Sequence, residues 1–290
     1  MNCKFLTNGK TWAATLAVAA CGTAGAAAVY PNNAAGDSYT NAGPVNQGQP
    51  VGSSGWYYNN VRNGGTVGIN TLHPRSGSGS VSMSGPANAK ADIEYLPGGF
   101  NLLGNYESTG SLGLLSALSS MSYEWYRDSS SAASPWLHPS LRVLVDRDGN
   151  LATTGDRGGL VFERTYNGTG SGAVPTNQWV ADTVTNSTFV WNFGLGLGTA
   201  YDVNNSGYGY DDTLAQWKAF MPSAVIIGFS SGFGSGWGAF SGAVDNIGWT
   251  IGGVTTSSNF EVQAVPEPAS LALAGLALAG LALTRRARRR

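Results

Sequence analysis

An all-β chain, folded as a jelly-roll-like antiparallel β-sandwich with one short helix, is what this sequence predicts. Three observations carry that expectation. Apolar and polar residues alternate with period two in several short runs, as they do along half-buried strands. Clusters of Gly, Asn, Asp and Ser part these runs at turn-like intervals. The chain is also poor in charge, at 11%, while holding 42 glycines, 9 tryptophans and 12 tyrosines in 290 residues. Aromatic and β-branched residues recur often enough to fill a core, which separates this composition from that of a disordered chain.

Residues 29–55 carry few apolar anchors and many Gly, Pro, Asn and Gln, and are expected to be a flexible lead-in to a sandwich domain over 56–264. From Trp56-Tyr57-Tyr58 onward, strand signals follow one another. Val67-Gly68-Ile69 precedes a His-Pro turn, and Ser80 to Ser84 follows a Gly/Ser turn. Met121, Tyr123 and Trp125 alternate with Ser120, Ser122 and Glu124; Leu141, Val143 and Val145 alternate with Arg142 and Asp146, although Leu144 spoils the polar face. Leu160 to Arg164 is expected to pair with that last strand. Phe189, Trp191 and Phe193 share one apolar face, Val225-Ile226-Ile227 reads as a short buried strand, and Ile247, Trp249 and Ile251 line another face. Strands this short and frequent suggest a sandwich or jelly roll. One helix interrupts them: Asp211-Asp212 can cap Thr213 to Met221, in which Leu214, Trp217 and Met221 fall on one side before Pro222 stops it.

Both ends carry export chemistry. Lys4 and Lys10 precede an apolar stretch from Trp12 to Ala20, and small residues follow to Ala28, the order of a secretory signal peptide over residues 1–28. Ala26-Ala27-Ala28 offers a signal peptidase site; Val18-Ala19-Ala20-Cys21 also fits a lipobox, but a lipid on Cys21 would duplicate the anchoring at the other end. At residues 265–290, Pro266-Glu267-Pro268 is followed by an uncharged Leu/Ala/Gly run from Ala269 to Thr284, then by Arg285, Arg286, Arg288, Arg289 and Arg290. An apolar run closed by arginines is a stop-transfer arrangement that keeps the basic end on the cytoplasmic side of the inner membrane. Its 16 residues are a little short of the roughly 20 of a comfortable permanent span, which suits a temporary transmembrane sorting helix.

The triplet, apolar run and basic cluster resemble the PEP-CTERM sorting signal of Gram-negative bacteria. That resemblance implies an exosortase that cuts near the triplet and passes the protein to the cell envelope, outer surface or extracellular matrix. The sandwich region resembles the carbohydrate-binding-module-like domains of secreted bacterial proteins, on Ser54-Gly55-Trp56, Ser76-Gly77-Ser78-Gly79-Ser80, Gln178-Trp179-Val180 and the closing strand Gly242-Ala243-Val244-Asp245-Asn246-Ile247. That second resemblance implies a structural calcium ion held in part by Asp245, although no acidic partner is evident near the domain start, Asp37 lying in the lead-in.

Both cysteines, Cys3 and Cys21, fall in the export signal, so the remaining 236 residues contain no disulfide. Seven of the 16 basic residues and one of the 17 acidic ones lie in the terminal signals, which leaves 9 against 16 and a net charge of about −7 for the mature part. Such a balance argues against nucleic acid as a partner. Enzymatic activity is not expected. Glycan hydrolysis needs a carboxylate pair across a cleft, and Glu94, Glu107, Glu124 and Glu163 each stand alone in the sequence. His73 and His138 both precede proline and lack the partners of a zinc site or a serine triad. Oxygen-rich loops at Asp146-Arg147-Asp148-Gly149-Asn150 and from Asp202 to Asp211-Asp212 could hold calcium instead. For contacts with extracellular polysaccharide, Trp56, Trp136 and Trp237, in Gly/Ser/Pro surroundings, and Tyr208 and Tyr210, in a polar loop, are the rings expected at the surface. Trp125, Trp191, Trp217 and Trp249 are expected in the core. Phe233, Trp237 and Phe240, set among glycines, could form a mobile aromatic loop.

Overall fold

The computed structural model describes residues 26–99 and 110–262. The sorting segment, Glu107 and all but the last three residues of the signal peptide lie outside them. Two sheets face each other across an apolar core. One contains β1 (Ala27–Val29), β2 (Tyr39–Asn41), β5 (Gly65–Asn70), β6 (Ser80–Gly85), β9 (Leu118–Arg127), β12 (Trp179–Val184), β15 (Phe240–Ile251) and β16 (Val254–Phe260). The other contains β3 (Gln47–Pro50), β4 (Trp56–Arg62), β7 (Lys90–Tyr95), β8 (Gly113–Leu114), β10 (Ser140–Asp146), β11 (Arg157–Phe162), β13 (Trp191–Gly194) and β14 (Val225–Phe233).

The second sheet runs β13-β11-β10-β14-β7-β4-β3, all antiparallel. In the first, β15 pairs with β9 along one edge. Its other edge is shared by β6, opposite residues 240–244, and β16, opposite 247–251. A bulge at Asp245–Gly248, where Asn246 takes φ 49°, lets one strand serve both partners.

The alternation read from the sequence sets the inward faces. Met121, Tyr123 and Trp125 of β9 and Leu141, Val143 and Val145 of β10 are all buried, and β10 pairs with β11 as expected. Trp56, Tyr95, Trp249, Phe229 and Phe260 form one aromatic cluster between the sheets, with Phe229 stacked on Trp249 at 4.3 Å. Trp56 is thus a core residue, 1% exposed, with its indole N–H donated to Ser258 Oγ at 3.1 Å. Its Ser/Gly neighbours form the turn before β4, not a surface platform.

The helix α1 (Leu214–Phe220) buries Leu214 and Trp217 as expected. Its cap is Thr213, whose side chain accepts from Gln216 N while the Gln216 side chain accepts from Thr213 N. Asp212 does not cap it, because its carboxylate already accepts from Val203 N and Asn204 N.

Residues 29–55 are not a loose lead-in. They supply β2 and β3, and Val29 of β1 pairs with Phe260 in parallel with β16. The expected cut after Ala28 falls inside β1. What holds this segment is polar: Asp37, 5% exposed, accepts from Asn32 N, Asn33 N and the Tyr58 hydroxyl at 2.8, 3.0 and 2.7 Å. A count of apolar residues misses such an anchor. Asp37→Ala is expected to destabilise the domain by about 2–4 kcal/mol, since it leaves a buried hydroxyl and two amides unpaired; urea unfolding measures it.

Candidate functional site

The outward face of the second sheet is unusual for a solvent-side face, because its centre is charged and dry. Lys90, Asp92 and Glu94 alternate along β7 with core residues Ala91 and Ile93, and Arg142 projects from β10 on the same side. Lys90 Nζ and Arg142 Nη1 both reach Asp92, at 2.8 and 2.9 Å. Burial alone would raise the Asp92 pKa, but Arg142 and Lys90 together hold it below the usual carboxylate range.

Glu94 lies two residues along the same face and forms no ion pair among the described residues. It accepts from Asn59 Nδ2 and Asn60 Nδ2 at 2.5 and 3.1 Å. A bulge in β4, with Asn60 at φ 52°, turns these consecutive amides onto one carboxylate. Burial and the nearby Asp92 push Glu94 up to about 7.

Above this floor lies a cleft of about 390 Å³. Asn46, Asn60 and Arg62 line one side, Trp191, Phe193 and Glu163 the other, and Ser235 and Trp237 its rim. Phe193 can lie against the sheet because β11 presents Gly159 beneath it; a Cβ there would meet the ring at 2.7 Å. Trp191 donates its indole N–H to Glu163 at 3.2 Å, and burial raises the Glu163 pKa. Trp191 and Phe193 therefore face outward, while Asn192 between them is buried beside its register partner Leu160. The apolar face expected to enter the core is the wall of the cleft.

Trp237 is half-buried. It packs edge-on against Phe240 at 5.3 Å, and its carbonyl accepts from Asn88 N. Phe233 and Phe240 end β14 and β15 in the core, so these three rings are an anchored corner and not a mobile aromatic loop. Tyr210 extends the opposite wall: it packs on Trp191 at 5.8 Å, on Tyr166 at 4.4 Å and on the exposed Tyr208 at 5.3 Å. Trp237 thus lines the cleft, while Tyr208 and Tyr210 stack next to Trp191 without lining it. Trp136 is half-buried and does not line it.

Among the described residues two acidic groups come together. Asp146, Asp148 and Asp156 converge, as do Asp202, Asp211 and Asp212. Their oxygens serve the loops themselves: Asp202 accepts from Ser206 N and Gly207 N, Asp211 from Asn204 Nδ2 and Ser206 Oγ, and Asp146 from Arg157 Nε. Asp245 differs. Its Oδ1 accepts from Asn246 N and Phe260 N and the Ser76 amide also stabilises the charge, but the fully buried Oδ2 makes no hydrogen bond of ordinary geometry, and burial pushes the pKa up to about 6. Asp37 does not join it, being occupied by Tyr58 and the 32–33 amides. His138 is structural: it stacks on Trp125 at 4.5 Å, Nε2 accepts from Arg164 N, and burial lowers its pKa to about 3.

The cleft was not read from the sequence. Lys90, Asp92 and Glu94 show period-two alternation of charge against Ala91 and Ile93, the one signal that could have marked a polar outer face.

Residues 264–289 match the PEP-CTERM protein-sorting motif. No curated protein sequence matches the chain. The solved structures it is similar to include a family 11 carbohydrate-binding module from Clostridium thermocellum in complex with a β-1,3-1,4-mixed-linked tetrasaccharide, at 13% identity and a TM-score of 0.37 over 73% of this chain and 98% of that one. Another is the CBM22-1 xylan-binding domain from Paenibacillus barcinonensis, at 11% identity and 0.33 over 79% and 99%. The sorting tail and the likeness to carbohydrate-binding modules are those expected from the sequence; the function of the cleft rests on the chain's own residues.

Glu94 gives a measurable consequence. Because its folded-state pKa of about 7 lies above the ordinary glutamate value of 4.5, the folded state holds the proton more tightly. Its contribution to stability is present below pH 4.5 and lost as pH rises through 7. The melting temperature is expected to fall between pH 5 and 8, and Glu94→Gln to flatten that fall, a difference of about 1–3 kcal/mol.

Proposed function

We propose that this chain is an exported, non-enzymatic sandwich protein, sorted by an exosortase-type system to the envelope or extracellular matrix of a Gram-negative bacterium, where it holds polysaccharide in the outer cleft of its second sheet. The sorting motif at 264–289 supports the first half. One observation carries the second: Trp237, Trp191 and Phe193 wall a single cleft whose floor and rim present amide, hydroxyl and guanidinium groups. Flat apolar rings with a few fixed polar groups suit a sugar ring, which is apolar on its faces and hydroxylated at its edge.

Binding fits better than hydrolysis. Asp92 and Glu94 share a face but are fully buried, and Asp92 is tied to two cations. Glu163 lies on the far wall, three strand spacings from Glu94, or about 14 Å, beyond the separation a carboxylate pair needs. Affinity electrophoresis against a panel of polysaccharides tests the reading. Trp237→Ala is expected to weaken retention about tenfold or more while Trp136→Ala leaves it unchanged; equal retention of both variants would remove the cleft from the proposal.

A structural calcium ion is part of the same proposal. The buried Asp245 Oδ2 is the group that fits such an ion, which would supply the charge its burial lacks. Chelator is then expected to lower the melting temperature by several degrees, and Asp245→Asn to abolish that response. An identical melt with chelator and with added calcium would dismiss the ion.

A further inference from the structure

We infer that the cleft takes a polysaccharide whose sugar rings carry an anionic substituent, a carboxylate or a sulfate ester, with Arg62 as its recognition group. This deepens the binding reading above and rests on it. Three cations line the cleft, Arg62, Lys90 and Arg142, against a single lining acid, Glu163, which is turned to the Trp191 indole on the far wall. Beneath the floor, one carboxylate, Asp92, serves both Lys90 and Arg142. Burial and the neighbouring Asp92 favour the neutral form of Glu94, so it offsets only part of the remainder.

Arg62 is the decisive residue. It is half-buried, and among the described residues no ion pair joins it to an acid. Nη1 donates to Asn46 Oδ1 at 2.5 Å and Nη2 to Ser235 Oγ at 3.4 Å, both neutral groups. A guanidinium has five N–H donors, so these two bonds fix its plane and leave a fork free to grip two oxygens of an anion. Ser235 stands two residues from Trp237 on the same rim, so a sugar against that indole has Arg62 at hand for its charged substituent.

The electrostatics point the same way. Burial pulls the Lys90 pKa down to about 8; Asp92 opposes that shift and Arg142 and Arg62 add to it, in keeping with an excess of lining cations over lining acids. That excess sits in a mature domain whose net charge is about −7. Nonspecific attraction of a polyanion is therefore opposed by the protein as a whole, and any such binding must be local to the cleft. A neutral glycan would cover Arg62 without pairing it, and sites with unpaired polar groups reject the ligand that lacks the partner.

The test is titration of the full-length chain with alginate and polygalacturonate for carboxylates, dextran sulfate for sulfate esters, and mixed-linked β-glucan and xylan as neutral controls. At least one anionic polymer is expected to bind about tenfold or more tightly than the neutral ones, and Arg62→Gln to lose about 10- to 100-fold on it. The same variant should retain its melting temperature. Preference between the uronans and dextran sulfate assigns the anion. Neutral glycans bound as tightly as anionic ones, or Arg62→Gln without effect, would overturn the inference. If Trp237→Ala still abolished that neutral binding, the glycan-binding proposal would stand without it. No binding to any polymer by the unaltered chain would remove both.

Discussion

The salt bridge from Arg142 to Asp92 organises the outer face of the second sheet, and it does so by reaching over a strand. Arg142 lies on β10 and Asp92 on β7, with β14 between them. The guanidinium can cross only because β14 presents small residues there. Arg142 bonds to Ser230 Oγ and Gly232 O on the way, and a Cβ at Gly232 would lie 2.1 Å from Asp92 Oδ1. Three strands are thereby tied on their outer side as the aromatic core ties them on the inner. A buried ion pair of this kind is weak evidence for net stability, but loss of one partner strands the other charge in a dry site. The face is fixed in composition for that reason: Lys90, Asp92 and Arg142 cannot vary one at a time.

That rigid floor is what makes a cleft of the side chains above it. Asn60 is held by Glu94, Arg62 by Asn46 and Ser235, and Trp191 by Glu163 and Tyr210. Each lining group thus has its orientation set from behind, so binding would order few side chains and lose little affinity to their entropy. Gly159 beneath Phe193 and the small residues of β14 contribute by what they omit, leaving depth in a sheet that would otherwise be flat.

The sequence disclosed the inner faces of the sandwich more readily than the outer. Alternation in 121–125 and 141–145 gave strands and their buried sides, since burial against a second sheet selects apolar residues at every other position. The same logic misassigned Trp191 and Phe193, because rings facing a ligand and rings facing a core obey one periodicity. It also misjudged 29–55, where Asp37 anchors the chain through polar bonds, and Trp56, whose Gly and Ser neighbours form a turn over the core. The meeting of Trp191 and Trp237 on one cleft depends on long-range pairing of β13 with β11 and on the β14–β15 corner, which no local pattern encodes.

Among a set of aromatic residues this large, position matters more than number. Without a disulfide, the two sheets are joined mainly by burial, and four of the eight described tryptophans are consumed in joining them. Trp56, Trp125, Trp217 and Trp249 are all at or below 4% exposure. The other four, Trp136, Trp179, Trp191 and Trp237, are half-buried, and two of them, Trp191 and Trp237, line one cleft with Arg62, which among the described residues pairs with no acid. Core packing holds one side of Trp237 but not the side that lines the cleft, it does not explain Trp191, and sheet stability does not explain Arg62. Recognition of something flat, hydroxylated and negatively charged accounts for all three with a single cause.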